Sequence, residues 1–215
     1  MSWKGRKVVI TSGPTREYLD PVRYLTNASS GRMGFALARA ARRRGADVVV
    51  ISGPAAVPAP RGVRVVAVVT AEQMRRQTLA HFADADIVIA AAAVGDWRPV
   101  KTATRKLKKD GRPLRLTLVP TVDILAELGR RRGKRRRPVL VGFALETHDW
   151  IARAREKMRR KGVDFIVANK HTALASATTR IAVLGGGGER RCPPLSKERA
   201  AAAILRRIEG ALSDA

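Results

Sequence analysis

Short apolar runs alternate with helix-length amphipathic stretches along most of this chain, and that alternation is what most constrains its fold. Val8-Val9-Ile10 runs into Thr11-Ser12-Gly13-Pro14, the ending expected of a buried strand that enters a loop. A long loop is expected to follow, to about Gly31. From Met33 to Arg44, apolar residues fall at Phe35, Leu37, Ala38 and Ala41 with helical spacing, and Gly45 suits the positive φ at which helices often end. Asp47 to Ile51, Val63 to Val69 and Asp86 to Ala92 read as further strands, with a helix over Ala71 to Ala83. The pattern resumes with a helix near Val122 to Arg132, a strand over Val139 to Phe143, a helix over Asp149 to Lys161 and a strand over Val163 to Ala168. Thr179 to Leu184 reads as another strand, Gly185 to Gly188 as a turn and Ser196 to Leu212 as a closing helix. Strands and helices that alternate with short connections predict an α/β, Rossmann-like, mostly parallel sheet flanked by helices. The 215 residues suit a single domain, 1–215, since roughly 100–200 residues per domain is usual.

One segment breaks the alternation. Arg105 to Val119 is rich in Lys and Arg, has Asp110-Gly111 at its centre, and carries Leu107, Leu114, Leu116 and Leu118 in partial alternation. Asp-Gly is a hairpin signal, so a basic hairpin extension is expected over about 105–119.

Composition narrows the function. The formal net charge is +25, from 43 Lys+Arg against 18 Asp+Glu, a surplus that draws anions such as nucleotides, phosphorylated metabolites or nucleic acid. Arginine is spread over the whole chain, including Arg39, Arg42, Arg43 and Arg44, so most of this charge reads as solvated surface. Hydrophobic residues make up 45%, enough for a sizeable core, and no run of about 18 apolar residues suggests a membrane span. The first residues lack the pattern of a signal peptide. Cys192 is the single cysteine and forms no internal disulfide, which fits a cytoplasmic setting. His81, His148 and His171 have no zinc-like spacing.

In an open parallel sheet, ligands bind beyond the carboxyl ends of the strands. The first strand delivers the chain into small and hydroxylated residues, and the loop ends in Asn27-Ala28-Ser29-Ser30-Gly31 just before a helix. A helix start carries unpaired N–H groups and partial positive charge, so Ser29, Ser30 and Gly31 are candidates to hold a phosphate. Helix capping by Ser30 would explain the same residues without a ligand. A dinucleotide site fits poorly, because the G-x-G-x-x-G turn is missing and the second strand ends in Ser52-Gly53-Pro54 rather than an acid.

The longer strings say more. Thr11 to Glu17, Asp20 to Tyr24, Thr26 to Gly34, Ala91 to Pro99, Lys106 to Lys109, Val122 to Leu125, Gly142 to Thr147 and Asp164 to Asn169 together resemble phosphopantothenate–cysteine ligase, the synthetase half of the bacterial bifunctional coenzyme A biosynthesis protein. The blocks keep the family order from about Val8 to Asn169. The resemblance implies that a carboxylate oxygen of 4′-phosphopantothenate attacks the α-phosphate of a nucleoside triphosphate, and that the amine of L-cysteine then attacks the acyl-nucleotide. CTP is the nucleotide implied, with ATP the alternative and Mg2+ carried on the triphosphate. It also implies a homodimer, and a phosphopantothenoylcysteine decarboxylase that stands either in a separate chain or beside this domain in a bifunctional protein; the sequence leaves the two open.

Site residues follow from the resemblance. Lys106 is matched to a lysine facing the triphosphate, where a fixed ammonium offsets charge on the transferring phosphorus. On charge alone it is an exposed lysine in a basic segment. Asn27 is matched to the asparagine that contacts the activated acyl group, though asparagine also suits a plain turn. Ala90, Ala91, Ala92, Asp96, Val122, Asp123, Ile124, Leu125, Phe143, Lys157 and Lys161 are matched to the nucleotide pocket. Phe143 would serve equally as core, and Lys157 and Lys161, at i and i+4, share one helix face whatever their role. The family commonly has proline where Val122 stands, Ala-Asn-Asp where Ala168-Asn169-Lys170 stands, and Ala-Asp where Gly95-Asp96 stands. The flavin-dependent decarboxylase half of the family is not in this chain.

Two other classes compete. Arg130 to Arg137 and the overall charge suit a nucleic-acid-binding protein, but aromatic residues are only 4%, too few for a base-stacking surface, and no nucleic-acid-binding motif appears. A dinucleotide oxidoreductase lacks its fingerprint. Any nucleic-acid binding is expected to be unselective, and the basic surface has no role legible in the sequence.

Overall fold

A computed structural model describes residues 3–170 and 178–213. His171 lies outside the described residues. The chain opens with β1 (Lys7–Ser12), a short hairpin of β2 (Arg16–Tyr18) and β3 (Tyr24–Thr26), then α1 (Arg32–Arg43) and β4 (Asp47–Ser52). β5 (Arg64–Ala67), α2 (Ala71–Ala80), β6 (Ile87–Ala90), β7 (Trp97–Pro99), β8 (Leu118–Pro120) and α3 (Ile124–Arg132) follow. The remainder is β9 (Val139–Glu146), α4 (Trp150–Lys161), β10 (Phe165–Lys170), β11 (Thr178–Thr179), β12 (Ile181–Gly185), β13 (Gly188–Arg191), β14 (Leu195–Ser196) and α5 (Lys197–Ser213).

Among the described residues, eight strands form one sheet in the order β13-β12-β10-β9-β6-β1-β4-β5. The six from β10 to β5 are parallel; β12 and β13 join antiparallel at one edge. The expected mixed, mainly parallel α/β architecture is therefore present. Successive strand residues point to opposite faces. Val8, Ile10, Val48, Val50, Ile87 and Ile89 join α1 and α5 in one core layer, while Val9, Ile51, Val88, Leu140 and Ile166 pack beneath the helices of the other face. Burial on both faces is why these strands are continuous apolar runs rather than alternating ones.

Three local features differ from the sequence expectation. The loop after β1 contains the β2–β3 hairpin, whose turn is tied by Asp20: its carboxylate accepts from Val22 N and Arg23 N, both at 2.8 Å. Strands of three residues are too short to show a period. β9 runs on to Glu146, past Ala90 where β6 ends, because β10 continues to pair with it. The basic hairpin is present, but it is paired only at its base, where Trp97, Arg98 and Pro99 face Pro120, Val119 and Leu118. The chain does reverse at Asp110-Gly111: Gly111 has φ +83, and Arg112 N donates to Asp110 Oδ1 at 3.0 Å. Its first arm docks on the β2–β3 turn instead of on the second arm. Leu107 N donates to Asp20 Oδ2 at 3.1 Å, Arg23 Nη2 donates to Leu107 O, and Ala103 N donates to Leu19 O at 2.9 Å.

Candidate functional site

Strand order reverses about β1: the chain builds outward to β4 and β5, then crosses back to place β6 on the other flank. The carboxyl ends of β1 and β6 diverge there, the place where α/β sheets hold ligands. A cavity of about 460 Å³ opens at this point, lined from the ends of β1, β6, β9 and β10 and the starts of α1, α3 and α5. That volume lies within the range of roughly 300–1,000 Å³ typical of small-molecule sites.

The loops around it are fastened to one another. Thr11 Oγ1 accepts from Ala92 N at 3.2 Å, Ala93 N donates to Gly13 O at 2.9 Å, and Ser12 Oγ donates to Gly31 O at 3.0 Å. Asn27 Nδ2 donates to the carbonyls of Val94 at 2.9 Å and Ala93 at 3.2 Å. The donor expected to reach an acyl oxygen thus spans the two loops here, and reaching a substrate requires exchanging one of these bonds. On the far wall, Thr121 Oγ1 donates to Gly95 O at 2.6 Å and Thr121 N donates to Asp96 O at 2.9 Å.

α1 begins at Gly31, whose φ is +76, with no side-chain cap. Ser30 therefore does not cap this helix, and Ser29 to Gly34, at its start, line the cavity. Asp123 does cap α3, accepting from Ala126 N at 3.0 Å, and it also takes an ion pair from Lys161 at 2.8 Å. Burial opposes ionisation of the Asp123 carboxyl, but the bond from Lys161 leads the effects that hold it below the usual carboxylate range. Lys157 Nζ donates to Phe143 O at 2.8 Å. Burial, and then the charge of Lys161, depress its ammonium pKa below the ordinary lysine value, against the pull of Glu146, Asp123 and Asp96.

Of the residues singled out in the sequence, Asn27, Ser29, Ser30, Gly31, Ala90, Ala91, Ala92, Asp96, Val122, Asp123, Ile124, Leu125, Phe143, Lys157 and Lys161 all line this cavity. Lys106 does not; it is exposed on the extension. Thr11, Arg32, Thr121, Leu145, Asn169 and Lys197 line the cavity and were not singled out. Asn169 Oδ1 is buried with no hydrogen-bond partner among the described residues, an acceptor that a ligand donor would satisfy. Thr11, Arg32, Leu145 and Asn169 sit within quoted motifs without having been assigned a role, and Lys197 had one faint signal, a lysine at a helix start where the dipole disfavours it.

Residues 3–212 match the family described as DNA/pantothenate metabolism flavoprotein C-terminal domain. The chain is 43% identical over 211 residues to the coenzyme A biosynthesis bifunctional protein CoaBC of Bacillus subtilis, covering 95% of this chain and 51% of that protein. It is 46% identical over 169 residues to CoaBC of Escherichia coli K12, covering 77% and 41%. It spans about half the length of the curated relatives it matches. Among solved structures, the crystal structure of the C-terminal domain of CoaBC superposes with a TM-score of 0.84 at 38% identity, covering 99% of this chain and 98% of that one.

Proposed function

Because the chain belongs to the DNA/pantothenate metabolism flavoprotein C-terminal domain family and matches the synthetase domain of bacterial CoaBC, we propose that it is a ligase of coenzyme A biosynthesis that joins 4′-phosphopantothenate to L-cysteine. The observation that carries this reading is the convergence of six of the eight quoted motifs, distant in sequence, on one cavity; Asp20 to Tyr24 and Lys106 to Lys109 lie outside it. A carboxylate is a poor electrophile. Its oxygen attacks the α-phosphorus of CTP, the P–O bond to the leaving pyrophosphate breaks, and an acyl-CMP forms. The cysteine amine then attacks the acyl carbonyl, CMP leaves with its phosphate oxygen, and the amine loses a proton as the amide forms.

Ala90 to Ala92, Val122 to Leu125 and Phe143 shape the nucleotide pocket in this reading, with Lys157 and Lys161 contacting the nucleotide. Asn27 bridges toward the acyl group, and Ser29 to Gly31 offer backbone donors to phosphate. Val122, in place of the family's proline, stands at the nucleotide wall and keeps ATP as the alternative. Mg2+ would be carried by the triphosphate itself, with no protein side chain assigned to it; Asp96, exposed at the cavity rim, belongs to the nucleotide pocket.

Seven of the nine large hydrophobic residues exposed among the described residues lie outside the cavity lining: Val22, Tyr24, Trp97, Val100, Leu114, Leu116 and Leu118. All belong to the β2–β3 and β7–β8 hairpins and the extension. Exposed apolar residues carried on these hairpins suit a subunit contact, so the enzyme is a homodimer through them, and the extension carries Lys106 over the partner's cavity. The setting is the cytoplasm, and a phosphopantothenoylcysteine decarboxylase, in a separate chain or in a longer protein of which this is one domain, consumes the product. Specific nucleic-acid binding is not part of this reading: in the basic run, Arg131 pairs with Glu127, Arg132 with Asp164 and Arg137 with Asp86.

The test is release of pyrophosphate from CTP that requires phosphopantothenate, with amide product forming on addition of cysteine. Lys106→Gln should slow pyrophosphate release about 10²–10³-fold, as loss of a preorganised charge-stabilising donor does. Asn27→Asp should let acyl-CMP accumulate, trapped by acid quench and mass spectrometry. No nucleotide-dependent pyrophosphate release under any combination of these reactants would refute the function; normal turnover by both variants would refute the site.

A further inference from the structure

We propose that Asn169 receives the amino group of cysteine and holds it toward the acyl group for the second half of the reaction. The naming of that amine rests on the ligase reading above.

Asn169 lies near the end of β10 and lines the cavity. Its Oδ1 is buried and has no hydrogen-bond partner among the described residues. A buried carbonyl oxygen left unbonded costs stability until a donor arrives. Asn169 stands opposite Ile181 of β12 on one side and Leu145 of β9 on the other. Side chains paired in register share a face of the sheet. Leu145 is 37% exposed and lines the same cavity. An unmet acceptor and a bare apolar side chain therefore stand side by side. Cysteine carries its amino group and its thiol on adjacent carbons, a donor for the first and a small apolar arm for the second.

β9 and β10 run on past the end of β6. Ala90 pairs with Gly142 and Gly142 with Ile166, so Asn169 stands three residues above that row (166 to 169). Ala93, three residues above Ala90 (90 to 93), supplies one of the two carbonyls that Asn27 bridges. Asn169 and the anchor of Asn27 thus rise to similar heights, two strand steps apart, roughly 10 Å from backbone to backbone. An acyl group at Asn27 and an amine at Asn169 fit within such a gap. Of the nucleotide candidates, Ala90, Ala92, Ile124 and Leu125 pack in the other layer, and Ala91 and Phe143 border the Asn169 side.

A neutral acceptor suits this amine. A carboxylate in the same place would favour the protonated ammonium, which cannot attack. A carboxamide oxygen orients the amine without adding a charge that retains its proton. In the step itself the amine nitrogen bonds to the acyl carbon, the carbon–oxygen bond to CMP breaks with its electron pair, and the amine proton passes to solvent. Asn169 takes no proton.

The experiment follows two reactions in the parent, Asn169→Leu and Asn169→Asp. One is pyrophosphate release from CTP with phosphopantothenate and no cysteine; the other is amide formation as cysteine is varied. The melting temperature of each chain is recorded. Asn169→Leu should raise the KM for cysteine about 10–100-fold, the value of a lost hydrogen bond to a charged group. Its pyrophosphate release and its KM for CTP and phosphopantothenate should stay near the parental values. It should melt no lower than the parent, since an orphaned acceptor is gone. Asn169→Asp keeps an acceptor, so its KM for cysteine should stay near the parental value. The pH at which its amide formation rises should move up by about one to two units, the effect of an opposite charge beside the amine. A parental KM for cysteine in Asn169→Leu overturns the proposal while leaving the ligase reading intact. A defect in pyrophosphate release, or in the KM for CTP or phosphopantothenate instead of cysteine, overturns it by giving the oxygen to another reactant. A lowered melting temperature in both variants overturns it by marking a structural asparagine. If the parent forms no amide from any combination of these reactants, the ligase reading falls and the proposal with it.

Discussion

Gly34→Ala tests whether the cavity depends on the close seating of α1 against β1. A Cβ on Gly34 would lie 2.5 Å from Ser12 Cβ and 3.1 Å from Ser12 Cα, and closer still to Ser12 Oγ. Ser12 is fully buried and cannot swing away, because its hydroxyl is bonded to Gly31 O at 3.0 Å. The helix must lift or the serine must break that bond. Overpacking costs about 1–3 kcal/mol, and the lost hydrogen bond about 1 kcal/mol more, for about 2–4 kcal/mol in all. In a domain of this size that lowers Tm by roughly 4–16 °C. The lifted segment is the start of α1, so a shift near 1 Å should also slow pyrophosphate release about 10²-fold. Urea unfolding and a pyrophosphate assay read the two effects. Ser12→Gly removes the obstructing side chain, so the double variant should be more stable than Gly34→Ala alone, a coupling of about 1–3 kcal/mol. Parental stability in Gly34→Ala, or strictly additive effects in the double variant, would refute the reasoning.

Asp20→Asn should free the extension, since Asp20 is fully buried and accepts from Val22, Arg23 and Leu107; brief trypsin digestion should cut residues 105–115 faster than in the parent. Burial opposes ionisation of Asp20, but these bonds outweigh it and hold the carboxyl well below its usual range. Its contribution is therefore present above the unfolded pKa of about 3.9 and lost as pH falls below it; a loss of stability between pH 5 and 8 that Asp20→Asn abolishes would contradict this. Mixing inactive Lys106→Gln and Asn27→Asp chains should restore about a quarter of parental turnover, since half the dimers are mixed and each holds one intact site; no recovery despite subunit exchange would place Lys106 and Asn27 in the same chain's site. Excess chelator should abolish pyrophosphate release, and full activity in its presence would rule out magnesium on the triphosphate.

The elements that were legible in the sequence are those whose pattern is imposed by the sheet itself. β1, β4, β6 and β10 sit between two layers of helices, so they read as short apolar runs with turn residues at their ends. β2, β3, β7 and β8 did not, because three residues outside the main sheet leave no period and their pairing is set by partners far along the chain. Asp110-Gly111 marked the reversal of the extension correctly. What the arms pair with depended on Asp20 and Arg23, more than 80 residues earlier.

The site divides the same way. Motif order alone marked the loop before α1, the segment after β6 and the start of α3, because each is a contiguous string with its chemistry in it; the two lysines of α4 were matched only through the family resemblance. Whether Ser30 capped a helix or left the N–H groups of α1 open was undecidable in the string, and Gly31 decided it by taking the cap position with positive φ. Thr121, Asn169 and Lys197 were not read as site residues, although Asn169 closes a quoted motif; they reach the cavity because strand order reverses at β1 and α5 returns to pack on α1. Local chemistry is written in adjacent residues, but the charge and burial that shift Lys197, and the orphaned oxygen of Asn169, arise only when distant segments are brought together and water is excluded between them.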